Sequence, residues 1–231
     1  MTVEKRQLVI GLGEVGEAIQ RILNCDGYDI TGGPKPMGKY DVLHICIPWS
    51  QKFISIVKSY QKYLKKKGIV IIHSTVPVGT SKKLGAVHSP IRGIHPYLYD
   101  GIRTFVKYFG GRRAMEAARS FIDLDIECVI LDSSDDTEAL KLWDTTIYGA
   151  NILLEKEIAE YCKKHKLSFY NVYTHPNETY NIGYQRLGYA CYKKYVLQHI
   201  DGKIGGHCIV NNAKMLKSES AKRILDFQNK K

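Results

Sequence analysis

Apolar positions along this chain follow two alternating rhythms. Arg6 to Ile10 is a short apolar run that predicts a buried strand. From Glu14 to Asn24 the apolar positions step by three and four, which predicts an amphipathic helix. Asp29 to Thr31 reads as a short second strand, and Gly32 to Gly38 as a loop, because its Gly and Pro content suits no regular element. Asp41 to Ile47 is continuously apolar, as expected of a strand covered on both faces. The pattern then predicts a helix over Ser50 to Lys66, a strand over Ile69 to His73, and short strands near Ala86–His88 and Phe105–Phe109. A helix over Arg112 to Ile122 and a strand at Glu127 to Leu131 follow. Strand and helix in turn imply an α/β fold with a Rossmann-type doubly wound parallel sheet.

The texture changes at Ser133-Ser134-Asp135-Asp136. This polar stretch, with Glu138 three residues after Asp135, reads as a capping box opening a long helix over Asp136 to Lys166. Its apolar stripe runs through Leu140, Trp143, Ile147, Ala150, Leu154, Ile158 and Tyr161. A single stripe on so long a helix suits packing on the sheet domain, on a partner chain, or on both. The expected organisation is residues 1–132 as a dinucleotide-binding domain and residues 133–231 as a smaller α-helical domain with a long central helix. The tail, Leu167 to Lys231, is rich in Tyr and Asn and shows no clear periodicity.

Composition narrows the class. The chain has 231 residues, 44% of them hydrophobic, which is ordinary for a globular protein. No apolar run approaches the roughly 20 residues of a membrane span, and the N-terminus carries no signal-peptide pattern. Six cysteines (25, 46, 128, 162, 191 and 208) lack metal-type spacing and suit a reducing cytoplasm. His88, His95, His175 and His199 also lack metal-ligand spacing, so no metal is expected. The net charge of +11 favours anionic ligands. A lysine-rich surface, such as Lys62, Lys65, Lys66 and Lys67 at a helix end, is the plainer account of that charge. No recognised nucleic-acid motif is present, so nucleic acid is not an expected partner.

Candidate chemistry sits at both ends of the chain. Gly11-Leu12-Gly13-Glu14-Val15-Gly16 follows a strand and opens a helix. In that context the first glycine permits a tight turn, the second admits a pyrophosphate, and the third packs helix on strand. The expected cofactor is NAD or NADP. NAD sites place a carboxylate at the end of the second strand. With strand two at Asp29–Thr31, that position falls at Gly33 or Pro34, where there is none. Lys35 and Lys39 lie nearby, and a lysine suits a 2′-phosphate. Near the other end, Gly205-Gly206-His207-Cys208-Ile209 offers a thiol beside two glycines, and a protonated His207 close to Cys208 favours the thiolate.

Several ordered blocks resemble the nucleotide-sugar dehydrogenase family, which oxidises UDP-glucose, UDP-N-acetylmannosamine or GDP-mannose. They are GLGEVG at 11–16, DVLHICIP at 41–48, HSTVPVGTS at 73–81, HSPIRG at 88–93, TEALKLWDTTIYGANILLEKEIA at 137–159 and GGHCIV at 205–210. The resemblance implies that Cys208 is a nucleophile. It adds to an aldehyde to give a thiohemiacetal, which loses a second hydride to become a thioester and is then hydrolysed. The resemblance also implies that Lys141 assists proton transfer and the oxyanion. It places Thr75 near nicotinamide and substrate, and Pro48 and Ser50 on the ribose side of the cofactor. A homodimer is implied through the long helix.

The chain departs from that family at definite positions. Ile91 stands for a glutamate, Thr145 for an asparagine four residues after the lysine, and Lys156-Glu157 for an Asn-Glu pair. Asn212 stands for an aspartate, and Pro34 for the cofactor carboxylate. The stretch between strands two and three is short, and little sequence follows Cys208, so a truncated and divergent relative without the C-terminal nucleotide-binding domain is expected. Asn211, Asn212 and the Tyr180-Asn181-x-Gly183-Tyr184 stretch offer replacement polar groups. The leading expectation is an NAD(P)-dependent oxidoreductase acting on a small polar or phosphorylated alcohol or aldehyde. A β-hydroxyacid-dehydrogenase-like enzyme needs Lys141 but not Cys208. A third reading is a non-catalytic dinucleotide-binding or regulatory protein.

Overall fold

A computed structural model describes residues 5–29, 31, 32, 35–93, 95–205 and 207–229, with the His207 side chain excepted. The chain forms two compact units, Met1–Lys141 and Leu142–Lys231, and the division falls within one long helix.

The first unit is built on a seven-stranded sheet. In chain order its elements are β1 (Gln7–Ile10), α1 (Glu14–Leu23), β2 (Asp26–Tyr28), β3 (Tyr40–Ile45), α2 (Phe53–Tyr60), β4 (Leu64–Ile72), α3 (Thr80–Lys83), β5 (Val87–His88), α4 (Leu98–Thr104), β6 (Lys107–Gly110), α5 (Ala114–Ile122) and β7 (Cys128–Leu131). The strand order is β2-β1-β3-β4-β5-β6-β7. β1 to β5 are parallel, β6 is antiparallel to β5, and β7 is parallel to β6. The fold is therefore a Rossmann-like α/β sheet, mixed rather than purely parallel.

Period-two burial explains the two-faced packing. Val9, Val42, Ile69, Ile71 and Phe109 point to one face, where α1, α4 and α5 bury Ile19, Ile102 and Phe121. Leu8, Ile10, Leu43, Ile45, Val70 and Ile72 point to the other, under Phe53 and Val57 of α2. The chain runs from β1 to β2 on one side and places β3 on the other. The crevice outside the carboxyl ends of β1 and β3 is thus the topological switch point, where ligands bind in open α/β sheets.

Several sequence expectations are corrected here. The second strand is β2 at Asp26–Tyr28, in register with Leu8–Ile10, and not Asp29–Thr31. The helix expected through Lys66 ends at Tyr60, and Lys65, Lys66 and Lys67 lie within β4. Those lysines therefore do not sit at a helix end. α3 and α4 were not expected. The position of Pro34 lies outside the described residues.

The second unit contains most of α6 (Ser134–Lys164), then α7 (His175–Arg186), α8 (His207–Ala213) and α9 (Glu219–Asn229). Its core joins Ile204, Ile209, Ala213, Ala221 and Ile224. Gly149 on α6 lets α8 and α9 approach closely, since a Cβ there would stand 2.7 Å from both Ile209 and Ile224. The stripe read from the sequence faces outward. Trp143, Ile147, Leu154 and Tyr161 are exposed, while Leu142, Thr146, Gly149 and Glu155 are buried.

Candidate active site

The glycine-rich turn leaves β1 with Gly11 at φ +92°, in the left-handed region open to glycine. A Cβ at Gly11 would also meet the Cys46 carbonyl at 3.0 Å. Gly16, buried in α1, lies against the same turn, and a Cβ there would fall 1.7 Å from the Gly11 oxygen. Gly13 is the opposite case, with nothing within 4 Å of its would-be Cβ. The turn therefore has two glycines required by the protein's own packing and one facing open space. Leu12 and Val15 are anchored against the core. Glu14 is exposed and pairs with His95.

Asp29 is the residue sequence reading missed. It follows β2 directly, its Oδ2 accepts from the Leu12 N–H at 2.6 Å, and its Oδ1 accepts from the Thr31 N–H at 2.9 Å. A carboxylate thus stands at the end of the second strand after all. It was overlooked because the strand was placed three residues late. Lys35 is exposed.

The remaining candidates of the first unit collect along the carboxyl edge of the sheet. Pro48 and Ser50 are exposed in the loop after β3. Thr75 is half-buried in the loop after β4, beside Ser74, whose hydroxyl donates to the Ile47 carbonyl at 2.6 Å. Glu138, expected to cap its own helix, caps α3 instead. Its carboxylate accepts from Gly79 N–H at 2.6 Å and Ser81 N–H at 2.8 Å. Burial pushes the Glu138 pKa up, and those N–H donors oppose the rise. His88 bonds Thr137 and the Ser74 carbonyl, and burial pushes it down to about 3, so it is a neutral packing residue. Ile91 is buried, and its carbonyl accepts from Lys141 Nζ at 2.8 Å.

In the second unit, Cys208 is exposed on α8. Asn212, one turn further along α8, is 5% exposed and donates through Nδ2 to Thr145 Oγ1 at 3.1 Å. Thr145 lies one turn beyond Lys141 on α6. Thr145 and Asn212, two positions where the chain departs from the family it resembles, are therefore partners. In the Tyr180–Tyr184 stretch Tyr180 and Ile182 are exposed, and Asn181, Gly183 and Tyr184 are half-buried. Asn181 is used twice to hold the Lys194 backbone, which makes it structural. His199 is tied to Glu155 and Asp201. Among the described residues no group of His, Cys, Asp or Glu has the arrangement of a metal site, and no helix is long and apolar enough to cross a membrane.

No protein-family model matches the chain, and no curated protein matches it. Solved structures do. The UDP-D-ManNAc dehydrogenase of Pyrococcus horikoshii superposes with a TM-score of 0.74 at 19% identity, over 96% of this chain and 68% of that one. A UDP-glucose dehydrogenase from Pyrobaculum islandicum gives 0.71 at 16%, over 98% and 68%. The 3-hydroxyisobutyrate dehydrogenase of Mycobacterium tuberculosis gives 0.68 at 12%, over 97% and 92%. At these identities the likeness is one of fold.

Proposed function

We propose that the protein is an NAD-dependent oxidoreductase acting on a small polar alcohol or aldehyde. The observation that carries this reading is the glycine turn. Gly11 and Gly16 are packed shut, Gly13 is open at the N-terminus of α1, and Asp29 stands beside Leu12. Backbone N–H groups and the positive helix end suit a pyrophosphate at Gly13. The Asp29 carboxylate suits ribose hydroxyls and opposes a 2′-phosphate, which favours NAD over NADP. Leu12, Glu14, Val15, Pro48, Ser50 and Thr75 border the same edge.

Bound there, the cofactor supplies a hydride acceptor for a carbon bearing a hydroxyl group. Lys141 is assigned to the substrate oxygen, as the group that moves its proton and steadies its negative charge. Cys208 is assigned as the nucleophile whose Sγ adds to an aldehyde carbon. Asn212, with its amide tied to Thr145, is assigned to steady the face of α8 that carries Cys208. The exposed stripe on α6 supports a homodimer, since Trp143, Ile147, Leu154 and Tyr161 leave an apolar face without cover in the monomer.

A titration with NADH and NADPH tests the cofactor reading. NADH is expected to bind more tightly. Gly13→Val, which fills the open position, is expected to weaken it about 100-fold, close to 3 kcal/mol, without loss of fold. Asp29→Asn keeps an acceptor for Leu12 and is expected to narrow the preference for NADH about tenfold. Equal binding of both cofactors by the wild type, or an unaffected Gly13→Val protein, overturns the reading.

A second reading dispenses with the thiol. It is favoured by the match to 3-hydroxyisobutyrate dehydrogenase over 92% of that chain's length. Cofactor reduction on a panel of polar alcohols separates the two. If Cys208 is the nucleophile, Cys208→Ser loses acid formation. If turnover persists undiminished while Lys141→Met is inactive, the non-covalent reading stands.

A further inference from the structure

Polar side chains cross the otherwise apolar face of the first unit's sheet in one line. Gln7 Oε1 on β1 lies 3.0 Å from His44 Nε2 on β3. His44 Nδ1 lies 3.0 Å from His73 Nε2, just beyond β4, and the two rings lie parallel, edge to edge, with centroids 5.3 Å apart. His73 Nδ1 lies 2.8 Å from the Ser89 carbonyl oxygen. Lys107 Nζ, from the first residue of β6, is 3.4 Å from that same oxygen and 3.5 Å from His73 Nδ1. Both histidines and the lysine are buried. Two residues after Ser89, the Ile91 carbonyl receives Lys141.

Lys107 has no carboxylate partner among the described residues. The rings of Phe109 and Phe121 lie 5.3 and 5.1 Å from its ammonium group. The other titratable groups facing the cluster are Cys46 just after β3, Cys128 from β7, His88 from β5 and Lys141 from α6. Burial pushes Lys107 down to about 7 and His44 down to about 3, with His73 well below its ordinary value. Between pH 6 and 9 the lysine changes charge and both imidazoles stay neutral.

A neutral imidazole has one donor and one acceptor nitrogen. A charged Lys107 has only donors, so it repels a proton on the His73 Nδ1 3.5 Å away and favours the state in which that nitrogen accepts. His73 then carries its proton on Nε2 and donates to His44 Nδ1, and His44 Nε2–H donates to Gln7 Oε1. With Lys107 neutral, the Ser89 carbonyl takes its hydrogen from His73 Nδ1. His73 Nε2 then accepts from His44 Nδ1–H, and His44 Nε2 accepts from the Gln7 amide, turned over. The heavy atoms as they stand fit the neutral-lysine state. In the charged state His73 Nδ1 and the Ser89 oxygen, 2.8 Å apart, are both acceptors, so that contact opens while the bonds among His73, His44 and Gln7 reverse.

We infer that Lys107 is a positioning residue whose protonation reverses this line of hydrogen bonds and so changes the hold on the Ser89–Ile91 segment that receives Lys141. In the neutral state Ser89 is held by the short bond from His73. In the charged state it is held by the longer contact from Lys107. The consequence for catalysis rests on the dehydrogenase reading, whereas the reversal itself does not.

The test is nitrogen NMR of the full chain labelled in its histidines, which distinguishes Nδ1–H from Nε2–H tautomers. In the wild type, His44 and His73 are expected to change together from Nε2–H to Nδ1–H as pH rises through about 7. Lys107→Met should hold both in the Nδ1–H form from pH 6 to 9. Amide exchange at Ile91 and Arg92 should slow as pH rises in the wild type, after correction for intrinsic rates, and show no such change in the variant. Fixed tautomers in the wild type, independent changes at the two rings, or the same reversal in Lys107→Met overturn the inference. The wild-type titration decides the matter alone if the variant does not fold. Absence of NADH binding would retire the dehydrogenase reading and leave this result standing.

Discussion

Gly16→Val is expected to cost the first unit about 4 kcal/mol or more and to abolish cofactor binding with it. The added Cβ would fall 1.7 Å from the Gly11 oxygen and 2.8 Å from the Gly11 carbonyl carbon. Both are backbone atoms, so no side-chain rotation relieves the clash. Gly11 has no room to withdraw, because its own would-be Cβ already meets Ile47 at 2.9 Å and the Cys46 carbonyl at 3.0 Å. The remaining escape is to lift α1 off the sheet, which exposes Ala18, Ile19 and Ile22. For a unit of this size the thermal transition should fall by roughly 10–20 °C. Gly13→Val is the control. It meets nothing within 4 Å, so its transition should stay within about 1 kcal/mol of the wild type while NADH binding weakens about 100-fold. If Gly16→Val melts like the wild type, the glycines do not have the division of labour described here.

What the chain disclosed about itself follows from which forces leave a periodic trace. Burial on two faces writes continuous apolar runs, and Asp41–Ile47 was legible as a strand for that reason. The glycine turn was legible because steric need selects one residue type. Register was harder. Asp26-Gly27-Tyr28 has the composition of a turn but pairs in parallel with Leu8–Ile10, and that misplacement hid Asp29. Lys65, Lys66 and Lys67 lie in an irregularity of β4 between Leu64 and Ile69, which pair with Tyr40 and Val42, where charged side chains reach solvent and hydropathy carries no signal.

The face of α6 was misread for a different reason. Its buried side is rich in polar groups that find partners. Glu138 takes the N–H groups of Gly79 and Ser81, Thr146 donates to the Leu142 carbonyl, and Glu155 pairs with His199. A satisfied polar group buries at little cost, and apolar spacing cannot report it. The pairing of Thr145 with Asn212 joins residues 67 positions apart and is likewise invisible in one sequence.

Lys107→Met is expected to stabilise the protein at neutral pH by about 2–4 kcal/mol. The lysine is 4% exposed, and burial is the leading cause of its fall from 10.5 to about 7. A base held below its unfolded value makes folding less favourable wherever the unfolded chain is protonated. The penalty is therefore full below about pH 7, shrinks as pH rises towards 10.5, and is absent above that. Its full size is roughly 5 kcal/mol. Methionine keeps the length and apolar stem, and the Ser89 carbonyl retains His73 as its donor, so most of that penalty should return as stability. Urea unfolding from pH 6 to 10 measures it. Above pH 9 the half-buried thiol Cys25, pushed up to about 12, lowers stability in both proteins alike. The informative quantity is thus the difference between variant and wild type, which should be largest below pH 7 and vanish near pH 10.5. A difference that stays constant with pH would mean that the ammonium group is not what the core resists. A destabilised variant at every pH would mean that Lys107 supports the fold outright. A confirmed gain would mean that the chain keeps a costly lysine where an apolar residue fits, which is the expected mark of a group retained for its chemistry rather than its packing.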